Sequence, residues 1–228
     1  MPYGQIGAHQ YLTDQLSIAS DRTRLIIAAG NNVVGYIEFH NPAPSIVSID
    51  YLAVARTHRR LGFGSRLIST AASTATNATI RLDVLTSNDG ALAFYRRKGF
   101  VPVGSKSWLT RRLAPPNSHV SHDNAESEQP ATMALGYGFS RVGDWTHKGH
   151  TVPIGRLGNG IVRVYTESAL FDDTLLAALH SQYPDAREAF AIFTTGRLQA
   201  AAVTGASLKA HFQVLELTGA SPGGLQGK

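Results

Sequence analysis

Residues 52–64 have the sequence LAVARTHRRLGFG, in which a short apolar run leads into an Arg-x-x-Gly-x-Gly turn. The apolar residues that follow recur at helical spacing: Leu67, Ile68, Ala71, Ala72 and Ala75. A strand that turns directly into a helix points several backbone N–H groups and the positive end of the helix dipole at one place. The stretch therefore predicts a pyrophosphate-binding turn. Close packing of strand and helix is the alternative reason for its glycines.

A second segment, residues 88–100, has the sequence NDGALAFYRRKGF and fits the pattern Asn-x-x-Ala-x-x-Phe-Tyr-x-x-x-Gly-Phe. The two segments, in this order and separated by a helix and a strand, resemble the GNAT superfamily of N-acetyltransferases. The resemblance covers residues 24–113. It implies an α/β (α+β) fold, with a mixed, mostly antiparallel sheet, a splayed central strand pair and flanking helices. It also implies acetyl-CoA as the cosubstrate and no metal.

The resemblance assigns a role to each part of the two motifs. The turn holds the pyrophosphate, the edge of the preceding strand pairs with the pantetheine arm, and Asn88 bonds that arm or the backbone that follows. A backbone N–H where the strand bulges stabilises the oxyanion, and Tyr95 protonates the departing thiolate. The implied coenzyme-binding residues are Leu52, Ala53, Val54, Arg59, Arg60, Leu61, Gly62, Phe63, Gly64, Asn88, Ala91, Phe94 and Tyr95.

Structural roles compete with these assignments at three positions. Asn88 is also a suitable cap for the helix that it opens, which is compatible with a ligand contact. Phe94 has the character of a core residue, and Tyr95 would also fit as a tyrosine at the edge of the core.

The base that accepts the amine proton has two candidates. Asp50 lies two residues before the predicted bulge, and strand alternation places it on the same face as Ser48 and Leu52. The resemblance implies a carboxylate here that takes the proton through water, although a solvated strand carboxylate explains Asp50 equally well. Glu38, at the end of the preceding hairpin, is the second candidate. We expect His58 to lie exposed in the turn.

The remaining pattern predicts the elements around the two motifs. A short helix over Ala8–Ala19 precedes a hairpin whose turn is formed by residues 30–32. The predicted strands of the first part are Arg24–Ala29, Val33–Phe39, Ile46–Val54, Thr79–Leu85, Val101–Val103 and Trp108–Leu113. The second helix, Asn88–Lys98, is expected to end at Gly99 as its C-terminal cap.

We predict a division of the chain into residues 1–113, a linker at 114–130 and a smaller α/β domain at 131–228. The linker contains three prolines and many small polar residues. GNAT domains usually begin with a strand and two helices, and this first domain is shortened at its N-terminus, so we expect its acceptor pocket to be built differently. The second part is interpreted as a degenerate GNAT-like lobe or an unrelated α/β domain. Its predicted elements are a strand Ile161–Glu167, a helix Asp172–Gln182 and a hairpin of Glu188–Phe193 with Leu198–Thr204.

Composition narrows the class of protein. The net charge is +5, and residues 1–113 carry 13 Lys and Arg against 6 Asp and Glu, which suits a polyphosphate ligand or, less economically, a nucleic acid. The absence of cysteine excludes disulfides and thiolate metal sites. We expect a cytoplasmic protein without a membrane span. The pairs His119/His122 and His147/His150 have ligand-like spacing but are not assigned to a metal, and Gly155–Gly160 is expected to be a turn.

These observations predict an enzyme that transfers acetyl from acetyl-CoA directly to an amine of a small molecule, peptide or protein. Direct attack on a thioester needs a neutral amine, a stabilised oxyanion and a proton for the sulfur, and no covalent enzyme intermediate. Two alternatives stay open: a GNAT toxin that acetylates aminoacyl-tRNA, and a non-catalytic acyl-CoA-binding module. A homodimer is also considered.

Overall fold

The computed structural model describes residues 21–75, 77–113, 143–158, 160–194 and 205–220. The chain divides into two compact units. Described residues up to 105 and from 211 onward form the N-terminal unit, and those between 106 and 210 form the C-terminal unit. The predicted helix Ala8–Ala19, the linker at 114–130 and the strand Leu198–Thr204 lie outside the described residues.

The described residues form ten strands and four α-helices. The strands are β1 (Arg22–Ala29), β2 (Asn32–Ala43), β3 (Ile46–Val54), β4 (Ala78–Leu85), β5 (Val101–Arg112), β6 (Gly143–His147), β7 (His150–Leu157), β8 (Ile161–Val164), β9 (Glu188–Thr194) and β10 (Ser207–Ala220). The helices are α1 (Phe63–Ala72), α2 (Asp89–Arg97), α3 (Glu167–Phe171) and α4 (Asp173–Gln182), and Arg56–His58 form one 3₁₀ turn. No helix among these residues is long and apolar enough to cross a membrane.

In the N-terminal unit the strand order is β1-β2-β3-β4-β10, followed by the first residues of β5. The predicted hairpin is confirmed: β1 and β2 pair antiparallel across a turn in which Gly30 has φ 59°. All neighbours in this order up to β10 are antiparallel except β3 and β4, which are parallel because α1 crosses between them. The parallel ladder runs from Ile46 and Thr79 only to Ile49 and Leu82, so the two strands separate beyond that point.

The core of this unit lies on the sheet face that α1 and α2 cover. Its fully or almost fully buried members include Ile37, Phe39, Val47, Ile49, Leu67, Ile68, Ala71, Ala72, Ile80, Leu82, Leu92, Tyr95, Phe100 and Leu215. The helical face predicted for α1 is thus the face that is buried, apart from Ala75, which is partly buried beyond the helix end. Apolar burial on this scale is the main stabilising contribution to the unit.

The strand β10 was not anticipated from the sequence. It pairs antiparallel with β4, with Leu215 opposite Leu82, and Leu215 has no exposed surface. The side chains of Arg81 and Glu216 form an ion pair across the same ladder, although they lie 135 positions apart in the chain. The last described strand of the sequence therefore completes the sheet of the N-terminal unit.

In the C-terminal unit the strand order is β9-β8-β7-β6, and Lys106–Arg112 of β5 pair beside β9. Strands β8 and β9 are parallel and are joined through α3 and α4, whereas the other neighbours are antiparallel. A separate core unites the sheet with α4, including Val162, Leu170, Leu175 and Leu179. The predicted helix Asp172–Gln182 is confirmed as α4. The strand–helix–strand order of this unit, from β8 through the helices to β9, matches the order β3, α1 and β4 of the first unit.

Three sequence predictions need correction. The strands predicted at Val101–Val103 and Trp108–Leu113 are one strand, β5, which ends at Arg112, because Lys106 and Ser107 pair with β9 and Ser107 is fully buried. The strand predicted to reach Glu167 ends at Val164, since Thr166 caps α3 by accepting a hydrogen bond from the Ala169 N–H. The glycine-rich stretch is not a turn from its start, because Gly155–Leu157 continue β7.

Candidate functional site

The turn that precedes α1 presents an open helix N-terminus. Arg60 and Gly62 both adopt left-handed conformations, with φ of 65° and 83°. Gly62 is the N-cap residue, no side chain caps the helix, and its first turn contains no acidic residue. No capping side chain bonds the first-turn N–H groups from Phe63 to Ser65, so the positive end of the helix dipole is not neutralised there. Such a helix N-terminus favours the binding of an anion.

The two glycines of the turn serve different purposes. A Cβ on Gly62 would meet nothing within 4 Å, so the positive φ is the reason for glycine there. A Cβ on Gly64 would lie 3.2 Å from Cζ of Phe94 and 3.8 Å from Cγ2 of Val54. At Gly64 the packing alternative is confirmed, because this close approach brings α1, α2 and the end of β3 together.

Four arginines surround the turn, and all four are exposed: Arg56, Arg59, Arg60 and Arg66. The Nε group of Arg59 donates a 3.1 Å hydrogen bond to the carbonyl oxygen of Val54, which ties the turn to the end of β3. Exposed guanidinium groups beside an open helix N-terminus create a local positive potential suited to phosphate groups.

The end of β3 offers an open backbone edge. The N–H of Ala55 donates to the carbonyl of Val34, on the β2 side. Because successive peptide groups alternate in direction, those of Leu52 and Val54 face the opposite side, toward β4. The ladder with β4 has already ended at Ile49, so this edge is where an extended chain or ligand arm can pair.

Helix α2 begins at a side-chain cap and ends at a glycine. The Asn88 Oδ1 atom accepts a 3.2 Å hydrogen bond from the Ala91 N–H, so the capping role is confirmed. Gly99 has φ 86°, and the N–H of Phe100 bonds to the Tyr95 carbonyl, as expected of a helix C-terminus. Phe94 is partly buried against the core.

The Tyr95 ring lies in the core between two aromatic neighbours. Its centroid is 5.2 Å from that of Phe94 and 5.4 Å from that of Phe100, both edge to face. Burial raises the pKa of the Tyr95 hydroxyl to about 12. The phenol therefore keeps its proton at neutral pH.

The two predicted bases lie on the other face of β1, β2 and β3, within one polar cluster. Glu38 is 3% exposed and accepts hydrogen bonds from Nε of Arg24 at 2.8 Å and from the Tyr36 hydroxyl at 2.7 Å. Asp50 forms an ion pair with Arg22 and lies 2.9 Å from Nδ1 of His40.

The face predicted for Leu52 is wrong. Glu38 pairs with Tyr51 and Phe39 pairs with Ile49, so Asp50 is the extra residue of a β-bulge. The bulge reverses the alternation that follows it, and Leu52 packs against the core while Asp50 joins the polar cluster. His58 is partly exposed in the turn, with its ring stacked beside Phe63.

Residues 2–100 match the model of the acetyltransferase (GNAT) family. The N-terminal part of the chain is thus similar to a GNAT acetyltransferase domain. Over 92% of its length it also superposes on a tandem GNAT protein from the clavulanic acid biosynthesis pathway, with 15% identity, 87% of that chain covered and a TM-score of 0.64. A GCN5-related N-acetyltransferase from Sphaerobacter thermophilus matches 92% of this chain and 85% of its own, with 14% identity and a TM-score of 0.62. These likenesses show a GNAT-like fold with tandem relatives.

The N-terminal unit brings most of the predicted coenzyme residues together. The turn, the β3 edge and Phe94 meet around Gly64, whereas the candidate bases Asp50 and Glu38 lie on the opposite sheet face from Tyr95. The sequence interpretation missed His40. The signal was its spacing, since His40 lies two residues after Glu38 and alternation gives both the same face.

The corresponding junction of the C-terminal unit is different. Between β8 and α3 the cap is Thr166, whose hydroxyl accepts from the Ala169 N–H, and Glu167 lies in the first turn. Among the described residues, no group of three or more His, Asp or Glu side chains is arranged to hold a metal. His147 and His150 face each other across the β6–β7 hairpin.

Proposed function

We propose that this protein transfers the acetyl group of acetyl-CoA directly to a primary amine of a small molecule, peptide or protein. The pyrophosphate binds at residues 59–64, and the pantetheine arm pairs with the β3 edge at residues 52–54. The observation that supports this proposal best is the uncapped N-terminus of α1, placed directly after the open strand edge. A turn that only joined two elements would not need four exposed arginines around it.

Tyr95 is proposed to protonate the departing thiolate. Its ring is fixed by Phe94 and Phe100, and Phe94 contacts the turn that holds the coenzyme. The hydroxyl carries its proton at neutral pH, as a proton donor must before the reaction. A domain that only bound the coenzyme would have no use for a fixed proton donor here.

We further propose that each chain binds one acetyl-CoA. In the C-terminal unit the helix that follows the parallel strand is capped by Thr166 and carries Glu167 in its first turn. The cap occupies an N–H group, and the carboxylate opposes a phosphate at the same place. Among the described residues, the junction between β8 and α3 therefore does not offer the open helix N-terminus that precedes α1.

The test is calorimetry of acetyl-CoA binding to the wild type and to two variants with the same change of charge. Arg60→Glu alters the turn, and Arg97→Glu alters an exposed arginine at the far end of α2. We expect one site per chain and an affinity at least about tenfold weaker for Arg60→Glu, because a charge-assisted phosphate contact is lost. Equal affinities in both variants would contradict the placement. Release of free thiol with a panel of primary amines then tests the transfer.

A further inference from the structure

We propose that His40 is the general base of this acetyltransferase, with Asp50 as the residue that positions it. The inference rests on the proposed function, and it replaces a carboxylate with an imidazole as the group that removes the amine proton. Its basis is a side-chain triad on the polar face of β1, β2 and β3, formed by Arg22, His40 and Asp50.

The triad fixes which nitrogen of the imidazole is basic. Nδ1 of His40 lies 2.9 Å from Oδ2 of Asp50. A carboxylate only accepts hydrogen bonds, so Nδ1 must carry a proton, and in the neutral ring Nε2 keeps the lone pair. Among the described residues, no hydrogen bond engages Nε2, and the His40 side chain is 24% exposed. The ring therefore presents a basic nitrogen that solvent or a substrate can reach.

The strand register holds the triad in place from three sides. Arg22 of β1 and His40 of β2 are direct partners in the antiparallel ladder. Asp50 is the bulge residue of β3, and the bulge turns its side chain toward both of them. An orienting carboxylate that is itself held by an arginine is a rigid support for an imidazole.

The triad also lies at the place where the reaction is proposed. Asp50 directly follows Ile49, the last residue of β3 that pairs with β4, and precedes the open edge at Leu52. Tyr95 lies on the helix-covered face, and the triad lies on the opposite face. A thioester in the gap between β3 and β4 would thus have the proton acceptor on one side and the proton donor on the other.

The two carboxylates are less suited to act as the base. Protonating Asp50 would break its ion pair with Arg22, and protonating Glu38 would break that with Arg24 inside a buried network. Imidazole changes its charge closest to neutral pH, so it can accept a proton and return it at low cost. The charged groups that face His40 are Arg22 from β1 and Asp50 from β3, with Glu38 as the neighbour on its own strand.

The proton balance of the step is simple. Nε2 of neutral His40 removes one proton from the ammonium group of the acceptor, and the resulting amine forms a C–N bond with the thioester carbonyl carbon. As the intermediate collapses, the C–S bond breaks, the nitrogen loses its second proton to solvent, and the thiolate receives a proton from Tyr95. Solvent then reprotonates Tyr95 and accepts the proton that His40 holds, so one proton is released per turnover.

The first test measures the tautomer and needs no acceptor. Long-range ¹H–¹⁵N spectra of the wild type, labelled at histidine, should show neutral His40 protonated at Nδ1. His40→Gln identifies the signal, and Asp50→Asn should shift it toward a mixture of tautomers. A neutral His40 protonated at Nε2 would overturn the proposal, whatever the activity of the protein.

The second test measures acetyl transfer to the primary amine of the panel that releases thiol fastest. His40→Gln should lower the single-turnover rate about 10²-fold at neutral pH, with acetyl-CoA affinity unchanged. The pH profile of the single-turnover rate should also change in His40→Gln, because the group that accepts the amine proton is removed. Added imidazole should partly restore His40→Ala, which a purely structural role would not allow. His150→Gln, in the C-terminal unit, is the matched control.

The two proposals can fail separately. If the wild type binds acetyl-CoA and acetylates the amine while His40→Gln matches its rate across pH, the role of His40 is refuted and the proposed function stands. If the wild type binds no acetyl-CoA, the proposed function fails and the role of His40 fails with it.

Discussion

Single residues decide the chemistry of the turn between β3 and α1. Gly62 is required by its backbone angle, whereas Gly64 is required by the nearness of Phe94. The two glycines of one motif are therefore required for different physical reasons, and only the structure distinguishes them. The motif residues themselves could be found from the sequence, since the geometry of the turn and of the helix cap requires particular residue types at these positions. Alternation could place His40 on the face of Glu38, but its pairing with Asp50 could not be found, because that pairing is set by a bulge that no local pattern reveals.

The role of Tyr95 is testable by removing one atom. Tyr95→Phe keeps the ring, and so its packing against Phe94 and Phe100, and acetyl-CoA affinity should stay within about twofold. The single-turnover rate should fall roughly 10²-fold, the low end for the loss of a general acid. The fall should be larger for acyl donors whose leaving thiol is more basic. Rates equal to the wild type for every donor would make Tyr95 a packing residue.

Two glycine substitutions should change stability in opposite directions. Gly62→Ala forces a side chain into the left-handed region and should destabilise the protein by about 1–2 kcal/mol. Gly90 lies within α2, without a positive φ and with no atom closer than 4.0 Å to an added Cβ. Gly90→Ala should therefore stabilise by roughly 0.5 kcal/mol. Urea unfolding measures the change in the free energy of unfolding of each variant. Changes of the same sign in both variants would contradict the prediction.

Whole elements were predictable where their pattern is local. The β1–β2 hairpin, β3, α1, α2 and α4 all follow from apolar spacing together with turn or cap residues. The failures have a common cause. The strand β10 and the unbroken course of β5 depend on partners distant in the sequence, and a ladder can keep polar residues such as Ser107 inside a strand.

The start of α4 should make the stability of the C-terminal unit depend on pH. Partial burial of the Asp172 carboxyl favours a higher pKa. Hydrogen bonds from Thr174, Leu175 and Lys148 outweigh burial and hold the pKa of this carboxyl well below its usual range. A pKa lowered by folding stabilises the folded state fully above the pKa of the unfolded chain, near 4, and this contribution shrinks progressively as the pH falls from there through the much lower pKa of the folded state.

The comparison is thermal unfolding of the wild type and Asp172→Asn between pH 3 and 7. Asparagine can still cap the helix but cannot carry the charge. The variant should melt a few degrees lower at pH 7, and the difference should shrink below about pH 4. Asp185→Asn, at an exposed position, serves as the control. A difference that does not vary with pH would refute the electrostatic explanation.

At the scale of the whole molecule, the N-terminal unit depends on residues from the far end of the sequence. The Thr86 hydroxyl donates to the carbonyl of His211 across 125 positions, and Leu215 is fully buried in the core. The predicted division of the chain at residues 114–130 describes the order of the sequence, and it stays a prediction. It does not describe which residues pack together, because pairing between distant strands leaves no local pattern.

Removing β10 should therefore disable the acetyltransferase domain. A variant that ends at residue 206 should lose the cooperative unfolding of the N-terminal unit and its acetyl-CoA binding, since it exposes the β4 edge and the core around Leu82. A variant that ends at residue 220 should keep both. Calorimetry measures the two properties, and a synthetic peptide of residues 207–220 should restore part of the binding. Wild-type affinity in the shorter variant would disprove the dependence.

The same strand sets an order of events during synthesis. Residues 21–105 leave the ribosome well before β10 exists, so a nascent chain carries an unfinished sheet with an open β4 edge while more than a hundred further residues are added. The proposed coenzyme site should stay incomplete until that strand emerges. Messages cut short by a premature stop codon should then yield chains without the proposed acetyl transfer, and a chaperone that shields unpaired strand edges should associate with these nascent chains until β10 arrives.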